Sequence, residues 1–105
     1  MTAYTGNTVT TTPTIATATS VTILAANPNR KFLLIQNASA ADICINTEGA
    51  ALTGVVPSAT NKAICLKSTA GANVLRFEGM YVPAGAITAY QSSGASINTV
   101  VVVEG

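Results

Sequence analysis

"SINTVVVVEG", Ser96 to Gly105, is the stretch that decides the fold. Val100 to Val103 are four consecutive β-branched residues, which favour the pleated, half-buried setting of a strand. A strand sends alternate side chains to opposite faces, so two of these valines face one way and two the other. A small β-sandwich buries one of those faces in its own core. The second face needs another cover, and a sister subunit is the expected one.

The same alternation recurs upstream. "RKFLLIQN", Arg30 to Asn37, is apolar on both parities from Phe32 to Ile35 and reads as the first central strand. "DICIN" sets Ile43 and Ile45 opposite Asp42, Cys44 and Asn46, and "KAICLKS" puts Ile64 and Leu66 on one face. "VLRFEG", a short "MYV" and "ITAYQ" follow, separated by turns at "AGAN" and "PAGA". Before them, "TIATATSVTILAA" from Thr14 to Ala26 is a one-sided strand or two, with Ile15, Val21 and Ile23 on one parity. No stretch repeats apolar residues at helical spacing. About eight or nine short strands, spaced near ten residues apart, predict an all-β fold, a single antiparallel β-sandwich or jelly-roll-like domain. Residues 1–13, rich in threonine, read as an extended N-terminal arm, with room for a strand starting near Asn7, on a sandwich domain of residues 14–105.

Charged residues are 9% of the chain and its net charge is +1, against about 25% charged in an average protein. That balance excludes nucleic-acid binding through a basic patch. Aromatics are 5% and tryptophan is absent, so stacking platforms are scarce. A chain so poor in charge either solvates itself with Thr, Ser and Asn or hides surface against a partner. Runs of large apolar residues reach four, far short of a membrane-spanning helix. The N-terminus has neither a basic start nor an apolar stretch, so no secretory signal is read there, and the triplet Asn37-Ala38-Ser39 reads as chance. Cys44 and Cys65 sit in strand-like stretches. They are read as buried free thiols, with a cross-strand disulfide as the alternative.

Residues that carry chemistry are few. Histidine is absent and there are only four carboxylates, Asp42, Glu48, Glu78 and Glu104. Glu48 and Glu78 each precede glycine and read as solvated groups at strand ends. No phosphate loop or calcium-ligand cluster is present, and two cysteines without histidine do not complete a zinc site. The expectation is a protein without catalysis, cofactor, metal or small-molecule substrate. Tyr81 and Tyr90 read as rings at a sandwich edge with their hydroxyls in water. Tyr4 lies in the arm with nothing local to pack on, and is expected to dock onto a neighbouring subunit.

Asn29 to Asn46 and Met80 to Gly105 carry four cadences: "R-x-x-L-x-I-x-N-x-S", "V-P-x-G-x-I", "A-x-x-S-S-G" and "V-x-V-x-E-G". In these the chain resembles small virion proteins of tailed bacteriophages, in particular the capsid decoration or cement proteins. The resemblance implies a β-sandwich or jelly-roll knob, often trimeric, on the outer capsid. Such a knob staples neighbouring subunits of the major capsid protein after shell expansion, in a virion assembled in the host cytoplasm. It supplies no catalytic residues. The coat-protein contact expected of the arm falls on Tyr4, Thr8, Val9, Thr11 and Thr12. The expected subunit interface is Val100, Val101, Val102, Val103 and Tyr90. The alternative is a tail or fibre component whose Tyr81 and Tyr90 form shelves for a host surface glycan.

Overall fold

A computed structural model of the chain describes residues 8–69 and 71–105. Its strands in chain order are β1 (Val9–Thr11), β2 (Val21–Leu24), β3 (Phe32–Asn37), β4 (Ile43–Asn46), β5 (Ile64–Leu66), β6 (Val74–Glu78), β7 (Ile87–Gln91) and β8 (Val100–Glu104). No helix occurs among the described residues. The strands form two four-stranded sheets, a first ordered β1-β8-β3-β6 and a second ordered β2-β7-β4-β5. The antiparallel pairs β1–β8, β2–β7, β3–β6 and β4–β5 nest inside one another like a single long hairpin. Folding that hairpin over brings β3 beside β8 and β4 beside β7. The result is the expected antiparallel β-sandwich.

The alternation read from the sequence sets the core. Leu33 and Ile35 of β3, Val100 and Val102 of β8, and Ile43 and Ile45 of β4 all point inward and are fully buried. Ile87 and Ala89 of β7 join them, with Ile15 and Leu66 closing the ends. Fully burying one such side chain contributes about 1.5–3 kcal/mol.

Within the arm read over residues 1–13, a strand is expected to start near Asn7; β1 is found at Val9–Thr11 and pairs with β8 through Val9↔Glu104, Thr10↔Val103 and Thr11↔Val102. Two local expectations are corrected. "MYV" is not a strand. Gly79 takes φ 85°, a left-handed turn that suits glycine, and sends Met80 and Tyr81 into an exposed loop. The cysteines are not free thiols: β4 and β5 are neighbours with Cys44 directly opposite Cys65, and the two form a disulfide. That pairing depends on strand register, which spacing in the sequence does not reveal.

One end of the sandwich is closed by Arg30. Its Nε donates to Glu104 Oε2 at 2.7 Å, with the Arg30 side chain fully buried. Its Nη1 donates to the carbonyls of Pro83 and Gly85, and Nη2 to that of Ala25. Asn27 Nδ2 adds a second donor to Glu104 Oε2. A buried charge is tolerated when it is paired and hydrogen-bonded in this way. At the other end, Asn37 is fully buried and donates to the carbonyls of Ala41, Leu66 and Lys67. The amide nitrogen that a sugar would need is therefore consumed.

Candidate functional site

Each sheet has an outer face, and the two differ. On the second sheet, Thr88 and Asn46 point outward, yet they are only 5% and 7% exposed. The segment of residues 47–63 lies over them. Thr88 Oγ1 donates to the carbonyl of Ala50 at 2.6 Å, and Asn46 Oδ1 accepts from the Glu48 and Ala50 amides. Leu52 is buried and its amide donates to Ser20 Oγ beside β2. Asn61 holds the segment's shape: its Oδ1 accepts from Thr53 N, and its Nδ2 donates to Gly54 and Val56. Gly49 turns at φ 79°, and a Cβ there would already touch Ala86 at 3.4 Å. This loop is a roof, its backbone held in part by the side-chain amides of Asn46 and Asn61.

The first sheet has no such roof. Register places Val103 between Thr10 and Leu34, with Leu34 in turn beside Arg76. The neighbouring outward positions are Val101, Gln36 and Val74 on one side and Phe32 and Glu78 on the other. Phe32, Leu34, Val101 and Val103 are half-buried by one another, and Val74 is exposed. Along the β6 edge, Arg76 Nη2 donates to Glu78 Oε2 at 3.0 Å, while the guanidinium sits 5.7 Å from the Phe32 ring centre. Among the described residues, no side-chain hydrogen bond from another segment reaches this face.

The expected interface residues divide between these faces. Val101 and Val103 lie on the open face of the first sheet. Val100 and Val102 belong to the protein's own core and have no surface to offer. Tyr90 is half-buried on the outer face of the second sheet, paired with Cys44. It therefore does not share a surface with the valines. Thr8, Val9, Thr11 and Thr12 are exposed, with Val9 and Thr11 in β1. Tyr4 lies outside the described residues. Tyr81 is exposed in the loop after β6, edge-on to Phe77. Phe32 and Leu34 are the residues that sequence reasoning missed. Their signal was available, since a run apolar on both parities announces a strand with two covered faces.

The four cadences that carry the phage resemblance converge in space. Arg30, Leu33, Ile35, Asn37 and Ser39 are all buried. Arg30 reaches Pro83, Gly85 and Glu104, which belong to the second and fourth cadences. Gln91 and Ser93 of the third bond one another and the Ala95 carbonyl. The cadences thus describe how the sandwich is closed rather than a recognition surface. No family model matches the chain, and comparison with curated proteins and with solved structures finds no similar protein either.

Proposed function

We propose that the protein is a non-enzymatic virion structural protein, a capsid decoration or cement protein of a tailed bacteriophage. In this reading it binds the major capsid protein on the outer shell and staples neighbouring coat subunits. The observation that carries it is the open apolar face of Phe32, Leu34, Val101 and Val103, on a chain that roofs its other sheet with its own loop. A protein with 9% charged residues that leaves such a face uncovered is built to be covered.

Size decides how. A face of four strands, each about five residues long, spans roughly 300 Å², whereas a stable interface takes about 800 Å² per partner. The face alone makes a weak contact. A homotrimer joins this face to a different surface of the next subunit, because face-to-face packing of one patch closes as a dimer. The arm around Tyr4 and Thr8 to Thr12 is the coat-protein contact in this reading, and three linked copies then hold the shell by effective concentration.

Light scattering on the eluted protein tests the assembly. A mass near three times 10.6 kDa is expected, falling to one chain mass in Val103→Asp with its circular dichroism unchanged. Co-sedimentation with expanded capsids of the source phage tests the partner. Wild-type protein that stays in the supernatant would overturn the decoration reading.

A further inference from the structure

Charges are scarce here, and most are already spoken for. The chain has five basic and four acidic side chains, and three ion pairs take up Arg30–Glu104, Lys67–Asp42 and Arg76–Glu78. Of the remaining Lys31, Lys62 and Glu48, the last two line one cleft of about 430 Å³. Its walls include Ile45, Ala50 and Ile64, and Ile64 is 43% exposed. Lys62 and Glu48 make no ion pair with each other or with another described residue.

The cleft adjoins a free strand edge. β5 is the last strand of its sheet and pairs with β4 alone. Cys44 and Cys65 face each other with Cα atoms 4.0 Å apart, the close spacing of a non-hydrogen-bonded pair. The Cys65 N–H and C=O therefore point away from β4. Lys67, of the same parity, confirms that direction, because its N–H bonds outward to the carbonyl of Ala72 in the following turn. At Ala63 and Cys65 no described backbone group fills the equivalent place. The disulfide fixes this three-residue strand to its neighbour, so the edge is held ready before anything binds.

We propose that this cleft receives an extended polypeptide segment of a partner protein, added as a further strand to β5. The segment's backbone pairs with Ala63 and Cys65, an apolar side chain enters beside Ile64, a carboxylate meets Lys62 and a basic side chain meets Glu48. Strand addition supplies affinity through the main chain, and the pocket and charges supply selectivity. A glycan fits less well, since no aromatic ring is among the cleft's described lining residues. The inference rests on the proposed function only for the source of the segment, which is then the coat protein.

Two blocked pentapeptides, acetyl-Glu-Thr-Val-Thr-Lys-amide and acetyl-Lys-Thr-Val-Thr-Glu-amide, probe both strand directions by amide NMR on the labelled, oxidised protein. One of them is expected to shift the Ala63 to Leu66 amides at roughly 1 mM, a fair affinity for so short a strand. The double variant Lys62→Glu with Glu48→Lys should lose that peptide about tenfold and prefer the other, at an unchanged fold. Overturning results are no shift with either peptide, shifts confined to the Val101 and Val103 face, or cleft shifts with maltotriose but with neither peptide. Co-sedimentation separates the two proposals. Failed peptides with capsid-bound wild type sink the cleft alone, and bound peptides with unbound capsids sink the capsid reading alone.

Discussion

The two outer faces of this sandwich solve the same problem by opposite means. The second sheet hides Thr88 and Asn46 beneath a loop that the chain supplies itself, tied down by Asn61, Asn46 and Thr88. The first sheet carries larger apolar groups, Phe32, Leu34, Val101 and Val103, and no described segment crosses them. The polar face is the covered one and the apolar face the open one. Solubility of the single chain would favour the reverse arrangement.

The contrast breaks most sharply along β8 itself. Val102→Asp would set a charge among Leu33, Ile35 and Ile45 with no partner, and is expected to cost about 4 kcal/mol or more. Val101→Asp, one residue away, should cost under about 1 kcal/mol in the isolated chain. Urea unfolding of both variants decides it, and equal losses would mean that the two faces are not distinct. The cross-link comes next. Replacing both Cys44 and Cys65 by alanine, across a sequence separation of 21 residues, should lower stability by about 3 kcal/mol. A loss confined to hydrogen exchange near β5 would instead make the bond a local staple. The smallest effect is on the roof. Asn61→Ala leaves Thr53 N without its acceptor and should cost about 2 kcal/mol. Faster exchange should follow at Leu52 and Thr53 with none at Val100 to Val103, and spread of the effect to β8 would show that the faces are coupled.

The sequence disclosed the alternation and hence the sandwich, because period-two burial is a local property. Ile43 and Ile45 could be assigned to one face from their neighbours alone, whereas Leu33, Ile35, Val100 and Val102 lie in runs apolar on both parities, where only strand pairing tells inward from outward. What stayed hidden depends on which strands adjoin. Arg30 and Glu104 are 74 residues apart and meet only after β3 and β8 pair. The disulfide needs β5 beside β4 in the one register that opposes the cysteines. The roof carries no alternation that would announce it, and Asn61 looks like an ordinary turn residue until its three partners are placed. β1 was legible only as a strand starting near Asn7, because its exposed Val9, Thr10 and Thr11 leave no alternation that would name its partner β8.

The nesting of the strand pairs also dictates how the molecule yields to a pull. Val9 and Glu104 are direct partners at the open end of the ribbon. Tension applied at these two points therefore opens β1 from β8 one rung at a time instead of loading all rungs in parallel. Peeling continues inward through β2–β7 and β3–β6 and arrives at β4–β5, where the covalent link between Cys44 and Cys65 halts it. The 20 residues enclosed by that link add nothing to the extended length, so the chain is easily stretched at its ends and inextensible at its centre.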